Sequence, residues 1–289
     1  MSAEAFTLVV IAAALHASWN LLSKYAAAPA GHFVFAYRLL STLFYAPWVI
    51  YVLVADGMQW SLAAILFIAL SSLLHLGYCL CLQWGYHAAD LSVVYPVGRG
   101  TGPLLSSLAA FVLLGEEPSA HGVAGILCIV GGILLIASGG DLRRFATPRA
   151  WAGVRWGLLI GLFIAAYTVA DAYSVKTLHV VPVILDWLSA FGNALLMAPH
   201  AWIRRHTLMR DMRGKWRYAV AVGVLSPLAY ILVLYAYQLG GKVSLIAPLR
   251  EMSLMLATVA GFFLLKEKIS FARLAGCAII VAGVILLSV

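Results

Sequence analysis

Apolar residues fill ten long stretches of the chain, and short polar connections separate them. The stretches cover residues 4–24, 31–54, 60–86, 90–114, 119–138, 154–175, 181–203, 216–238, 242–265 and 270–289. Their apolar residues lack the strict alternation of a half-buried strand, so each stretch predicts a helix. A helix of about 20 apolar residues crosses the core of a bilayer. The pattern therefore predicts an all-α membrane protein with ten transmembrane helices.

The composition indicates lipid as the main solvent. Of the 289 residues, 64% are hydrophobic and 10% are charged, and the mean hydropathy is +0.98. A soluble domain carries about 25% charged residues, so a soluble core of this size is excluded. The N-terminus has Glu4 and no basic segment, which predicts a first span and not a cleaved signal. The cysteines lie within apolar stretches and predict small buried side chains, not metal ligands.

The distribution of basic residues predicts the orientation in the membrane. The net charge is +8, but the basic residues lie mostly in the connections between spans, which argues against nucleic-acid binding. Of 19 Lys and Arg residues, fifteen fall on one side of the ten-span arrangement, while only Lys176 and Lys242 fall on the other. Because basic residues favour the cytoplasmic side, both termini are predicted to lie outside.

The two halves of the chain repeat each other. Residues 113–136 align without gaps on residues 264–287, and the same offset places Arg99 on Arg250. Each half has five predicted spans, an odd number, so the second copy enters the membrane in the opposite sense. The sequence thus predicts two inverted five-helix repeats, at residues 1–140 and 154–289, joined by a loop at 141–153. Many secondary transporters have inverted repeats of this kind.

Two arginines are predicted at equivalent depths within the membrane. Arg99 lies about nine residues into the fourth span, roughly 13 Å along a helix and thus near the midplane. The surrounding segment 94–103 is rich in Gly and Pro, which predicts an irregular backbone facing a cavity. Arg250 and Glu251 follow Pro248 at the matching position of the second half.

Three roles are open for the arginines. Guanidinium groups match carboxylate, phosphate and phosphonate in a two-pronged geometry, so Arg99 and Arg250 are candidates for a clamp that binds an anionic substrate. Alternatively they neutralise internal acids, with Glu251 beside Arg99 and Asp171 or Asp186 beside Arg250. A gating role is the third possibility.

Further polar and aromatic residues complete the predicted site. Asp171 and Glu251 are candidates for proton coupling, because ionisable groups within a membrane mark ion and substrate pathways. The other predicted substrate-binding residues are Trp19, Asn20, Tyr78, Tyr95, Tyr167 and Tyr230. Aromatic side chains also pack or sit at the membrane interface, which is the alternative for several of them.

No catalytic arrangement is recognisable in the sequence. The run GRGTGP, residues 98–103, lacks the spacing and the Lys-Ser/Thr of a phosphate-binding loop. We find no nucleophile beside a base and no cluster of metal ligands. The sequence predicts a protein that is not an enzyme, has no cofactor and does not use ATP directly.

The pattern resembles the drug/metabolite transporter superfamily, in particular its EamA-type ten-span branch. The resemblance covers the whole chain and rests on a Leu-Leu-x-Glu-x-x-Ser motif near the end of each repeat, at Leu113–Ser119 and Leu264–Ser270. It implies a central cavity formed largely by spans 1, 3, 4, 6, 8 and 9, with the last span of each repeat packing structurally. It also implies transport of small metabolites such as amino acids, nucleobases or drug-like amphiphiles.

Two features depart from that resemblance. Many relatives have cytoplasmic termini, whereas the charge bias here places the termini outside, and paired arginines are not general among relatives. We therefore expect a secondary transporter of the bacterial inner membrane for a small metabolite with an anionic group, such as an amino acid, organophosphonate or organophosphate. Membrane lipids, protons as coupling ions and a second copy in a homodimer are the other expected partners. The alternatives are a broad exporter of lipophilic cations, a lipid-intermediate flippase, and a membrane assembly factor or enzyme.

Overall fold

A computed structural model of the chain describes residues 1–26, 30–55, 57–58, 60–89, 91–141, 148–265 and 271–288, with some helix positions described by their backbone alone. These residues form α-helices and no strands. The helices are Ala3–Ala26 (α1), Ala30–Ala55 (α2), Leu62–Ala88 (α3), Leu91–Leu113 (α4), Ala120–Ser138 (α5), Pro148–Lys176 (α6), Pro182–Ile203 (α7), Arg205–Asp211 (α8), Trp216–Gln238 (α9), Val243–Leu249 (α10), Met252–Leu265 (α11) and Phe271–Ser288 (α12).

Six helices of the described chain are long and apolar enough to cross a membrane. These segments are Ala3–Ser23, Gly31–Ala55, Leu62–Leu82, Ala150–Lys176, Pro182–Ile203 and Trp216–Gln238. Large apolar side chains also cover the outer surface, including Leu43, Ile50, Val54 and Phe271, each at least 60% exposed. An apolar surface of this extent is characteristic of a protein that lipid surrounds.

Local signals set several helix ends. Ser61 and Ser119 precede α3 and α5, and their Oγ atoms accept hydrogen bonds from the N–H groups of Ala64 and Gly122, both at 3.0 Å. Such N-caps satisfy backbone donors that a helix leaves free at its start. Helix α5 ends at Gly139, whose φ of 59° is left-handed and favours glycine.

The prediction of an irregular backbone over residues 94–103 is wrong, because α4 continues without a break through this segment. Its glycines serve close packing against α6. A Cβ atom added at Gly102 would lie 2.7 Å from Ile164 Cγ2, and one added at Gly157 would lie 2.6 Å from Val97 Cβ. Gly153, Gly157 and Gly161, spaced by four residues, form the α6 side of this contact.

The break occurs instead at the equivalent position of the second half. Helix α10 contains Pro248 and ends at Leu249, and α11 begins at Met252, so Arg250 and Glu251 lie in the turn between two helices. The N–H of Glu251 donates to Pro248 O at 2.9 Å, which closes this turn. Within a membrane such a break is tolerated only where protein buries it or where it lines a cavity, and Arg250 and Glu251 are indeed buried.

The last helices of the two halves, α5 and α12, pack against each other at glycines. A Cβ atom added at Gly132 would lie 2.7 Å from Gly276 O, and one added at Gly283 would lie 2.8 Å from Gly125 O. Small residues permit such close approach of helix backbones. This agrees with the structural role that the family resemblance implies for the last span of each repeat.

Glu116, from the motif at Leu113–Ser119, binds the start of α10 in the other half. Its carboxylate accepts hydrogen bonds from the N–H of Val243 at 2.7 Å, from the N–H of Ser244 at 2.9 Å and from Ser244 Oγ at 2.6 Å. Lys176 Nζ, at the end of α6, lies 3.7 Å from the same carboxylate. A negative charge at a helix N-terminus is favourable, so Glu116 stabilises the contact between the halves. The second copy of the motif, Leu264–Ser270, lies largely outside the described residues.

We expect Glu116→Ala to destabilise the protein. The substitution leaves two backbone N–H groups and one hydroxyl without their acceptor, and a hydrogen bond to a charged group contributes about 1.5–3 kcal/mol. For a chain of this size, the Tm in detergent should fall by about 4 °C or more. The matched control is Glu117→Ala, since the neighbouring Glu117 is exposed. Equal Tm values for the two variants would show that the Glu116 contacts do not contribute to stability.

Candidate functional site

Several charged side chains are buried within the helical assembly. Arg99 is 6% exposed, Arg250 4%, Glu251 1% and Asp171 0%. The ionised forms of such groups are costly in a membrane interior, so they mark functional positions. Their burial also distinguishes these side chains from the solvated charges that are ordinary at helix ends.

Arg99, on α4, is held by three groups. Its Nη2 lies 2.8 Å from Glu251 Oε2 and donates to Ser253 Oγ at 3.0 Å, while its Nη1 lies 3.2 Å from His16 Nε2. Its guanidinium also lies 6.0 Å from the ring centroid of Tyr95. The predicted pairing of Glu251 with Arg99 is therefore present. Because guanidinium only donates hydrogen bonds, Nε2 of His16 accepts and its ring is neutral.

His16 connects two predicted site residues to Arg99. The ring of Trp19 meets the His16 ring edge-on, with centroids 4.7 Å apart, and Asn20 Nδ2 donates to His16 O at 2.7 Å. Trp19 and Asn20 thus lie behind His16 on α1, in contact with it and not directly with Arg99. We infer that Trp19 and Asn20 hold His16 in position beside Arg99.

Arg250 has fewer partners than Arg99 among the described residues. Its Nε lies 3.9 Å from Glu251 Oε1, which is too long for a hydrogen bond, and no described group accepts a bond from Nε or Nη2. The hydroxyls of Tyr167, Tyr230 and Tyr237 are near enough to act on its charge. The hydroxyl of Tyr237 also has no partner among the described residues, although only 1% of this residue is exposed. Buried donors of this kind are normally satisfied, so these are available for a ligand.

Asp171 forms a second cluster with His75 and Tyr230. Its Oδ2 accepts a hydrogen bond from the Tyr230 hydroxyl at 2.6 Å and lies 3.1 Å from His75 Nε2. The His75 ring stacks on Tyr167 with centroids 4.1 Å apart, and the rings of Tyr78 and Tyr230 approach Tyr167 to 6.0 and 6.1 Å. No described group donates to Asp171 Oδ1, which is buried.

Every predicted site residue lies in or next to these two clusters. Some contact a charged side chain, and the others contact a residue that does. The segments that supply them are α1, α3, α4, α6, α9 and the α10–α11 pair, the same six that the family resemblance implies for the cavity. Sequence reasoning missed Ser253 and gave His75 no role. In the sequence, His75 differs from its neighbours only as a polar residue within an apolar stretch.

A third group of polar residues lies between α2 and α7. Arg38 acts electrostatically on Asp186, and Asp186 is only 6% exposed. The structure thus places Arg38 two turns into α2, so it does not belong to a connection between helices. Asp186 also interacts with Asp171, which links this group to the second cluster. Among the described residues, neither acid forms an ion pair with Arg250.

The site itself is closed. A groove of about 500 Å³ lies elsewhere, between α3 and α7, where apolar residues such as Ile65, Ile68, Leu188 and Leu195 line it. It does not include the arginines or Asp171. Because the charged residues are almost fully buried, a molecule reaches them only after helices move apart.

A profile of the EamA-like transporter family matches residues 4–138 and 151–289, which is nearly the whole chain, in two copies. The chain belongs to the EamA-like transporter family. Members of this family are transporters and not enzymes, and the family match agrees with the apolar helices in showing an integral membrane protein that transports small molecules.

Structure comparison adds support for the fold. One solved structure, described only as "Crystal structure of protein", matches with a TM-score of 0.78 and 18% identity over 100% of this chain and 99% of its own. At that identity the likeness shows a shared fold and no shared substrate. A comparison with curated proteins finds no match.

Proposed function

We propose that this EamA-family protein is a secondary transporter for a small organic metabolite with an anionic group. The group is a carboxylate, a phosphonate or a phosphate, as in an amino acid, an organophosphonate or an organophosphate. The metabolite binds in the closed interior between the two halves and crosses by alternating access, without ATP.

The observation that carries this proposal is the unsatisfied guanidinium of Arg250. Nε and Nη2 are buried donors without acceptors, and an anion with two oxygens satisfies both in the two-pronged geometry that arginine favours. The Tyr237 hydroxyl supplies a third free donor near the same charge. A cation at this position would meet positive charge, so the arrangement argues against an exporter of lipophilic cations.

The other arginine supports the binding group. Arg99 is already neutralised by Glu251, and Glu251 adjoins Arg250 in the turn between α10 and α11. Of the three predicted roles, we propose substrate binding for one arginine and internal pairing for the other. Arg250 binds the substrate anion, and the Arg99–Glu251 pair holds the broken helix against α4.

Alternating access between two inverted repeats requires more membrane crossings than the six clear spans. We propose that α1 to α7, α9, the α10–α11 pair and α12 are ten crossings in two inverted repeats, residues 1–140 and 154–289. Transporters of this class place broken helices at the repeat interface, as α10 and α11 are here. The bias of Lys and Arg supports termini outside, and we propose the bacterial inner membrane as the location.

Coupling to protons is part of the proposal. Of the two predicted carriers, Glu251 has a guanidinium partner, whereas the polar partners of Asp171 among the described residues are the phenol of Tyr230 and the ring of His75. Asp171 is therefore the better candidate, since its charge is not already balanced in a pair. A homodimer stays a prediction that the single chain does not address.

A substrate panel in proteoliposomes tests the proposal. The purified protein is loaded into vesicles, and uptake is compared for carboxylates, phosphonates, phosphates and cationic amphiphiles, with empty vesicles as the control. We expect uptake of compounds from one of the anionic classes, and the same compounds should raise the Tm of the protein. Uptake of the cationic amphiphiles alone would contradict the proposal and favour the broad exporter.

A further inference from the structure

Two buried side chains of opposite charge, Arg250 and Asp171, each have polar atoms without a hydrogen-bond partner among the described residues. In the part of the chain that the structure describes, Nε and Nη2 of Arg250 are donors without acceptors, and Oδ1 of Asp171 is an acceptor without a donor. Both residues belong to the second half of the chain, Asp171 on α6 and Arg250 in the turn after α10. An unsatisfied buried polar atom is costly, and here one donor pair and one acceptor are unsatisfied in the same enclosed region.

Tyrosines connect the two charges. The Tyr230 hydroxyl donates to Asp171 Oδ2 and is also near enough to act on Arg250, and Tyr167 interacts with both charges. Tyr167 lies beside Tyr230, with ring centroids 6.1 Å apart. Arg250 and Asp171 therefore share Tyr167 and Tyr230 as neighbours, which indicates that both charges belong to one site.

The balance of charge restricts what enters this site. In the two central clusters the described charged residues are Arg99 and Arg250 on one side and Glu251 and Asp171 on the other. Their formal charges cancel. A simple anion would add an uncompensated negative charge to a buried region, which is costly, whereas a molecule with one negative and one positive group adds no net charge.

We propose that the substrate is a zwitterion, whose acidic group binds Arg250 and whose amine donates to Oδ1 of Asp171. This inference rests on the proposed function and deepens it by naming the second group of the substrate. The ammonium supplies the donor that Oδ1 lacks, and the faces of the tyrosine rings favour a positive charge nearby. Asp171 is thus the residue that selects amines.

Matched compounds with and without an amine test this inference. The pairs are β-alanine and propionate, 2-aminoethylphosphonate and ethylphosphonate, and phosphoethanolamine and ethyl phosphate. Binding to the full-length protein in nanodiscs is measured by calorimetry. For at least one pair we expect the amine compound to bind at least tenfold more tightly than its partner, because a buried charge-assisted hydrogen bond is lost in the partner.

Two isosteric variants locate the effect. Asp171→Asn should reduce the preference for the amine to less than threefold, whereas Asp186→Asn, which removes the same charge from α7, should retain it. Loss of the preference in both variants would show that overall charge decides, and retention in both would show that Asp171 does not bind the amine. Either result overturns the inference.

The wild-type measurement separates this inference from the proposed function. Equal binding of both members of every pair overturns the zwitterion and leaves the anion transporter in place. Binding of no acidic compound, with or without an amine, overturns the proposed function and the zwitterion together.

Discussion

Arg250→Ala should strongly weaken binding of the anionic substrate while leaving the protein folded. Arg250 forms no hydrogen bond through Nε or Nη2, so truncation removes few internal contacts. The substitution mainly reduces the affinity for the ligand, because removing one partner of a buried charge pair costs about 2–5 kcal/mol of binding free energy. We therefore expect the Kd to rise by roughly thirtyfold or more, with little change in Tm. Calorimetry with the substrate from the panel, together with thermal unfolding of the empty protein, measures both quantities.

Two further variants test the geometry of this contact. Arg250→Lys retains the charge but not the planar fork, so its Kd should lie between those of the wild type and Arg250→Ala. Arg155→Ala removes an exposed arginine from α6 and should leave the Kd unchanged. Full transport by Arg250→Ala would show that the unsatisfied guanidinium is not the substrate site.

Arg99→Ala should instead destabilise the protein itself. The substitution leaves Glu251, which is 1% exposed, without its cationic partner, and it removes the donors to Ser253 and His16. Removing one member of a buried ion pair costs about 3–5 kcal/mol of stability. We expect a large fall in Tm or loss of folded protein, measured by thermal unfolding in detergent and by the monodisperse yield.

A double variant distinguishes pairing from substrate binding at Arg99. Arg99→Met/Glu251→Leu removes both charges of the pair, so Tm should recover above that of Arg99→Ala. The recovery should be partial, because Arg250 loses the carboxylate 3.9 Å from its Nε. Recovery of stability supports a structural role for the pair. If Arg99→Ala kept the wild-type Tm and lost only substrate binding, Arg99 would belong to the clamp together with Arg250.

The fold class follows from sequence because the signal is local. Each apolar stretch forms a helix wherever its neighbours lie, since the backbone groups of a chain in lipid bond within the segment. The ends of α3 and α5 follow from Ser61 and Ser119 in the same way. The sequence predicts the irregular segment in the wrong half, because this feature depends on tertiary contacts and not on a local signal. Glycines at 98 and 102 permit a kink, but whether they kink or pack depends on Ile160 and Ile164 of α6.

The sequence by itself singled out the four charged residues of the candidate site. An ionisable or polar group within an apolar stretch is expensive wherever it points, so Arg99, Asp171, Arg250 and Glu251 stood out without any knowledge of their neighbours. The tertiary structure alone decided which of them have partners. Arg99 reaches Ser253 across 154 residues of chain, and this contact depends on how α4 and α11 are rotated and how deep each lies. The sequence treats the two arginines as equivalent. Packing pairs Arg99 closely with Glu251 and leaves Nε and Nη2 of Arg250 without an acceptor among the described residues.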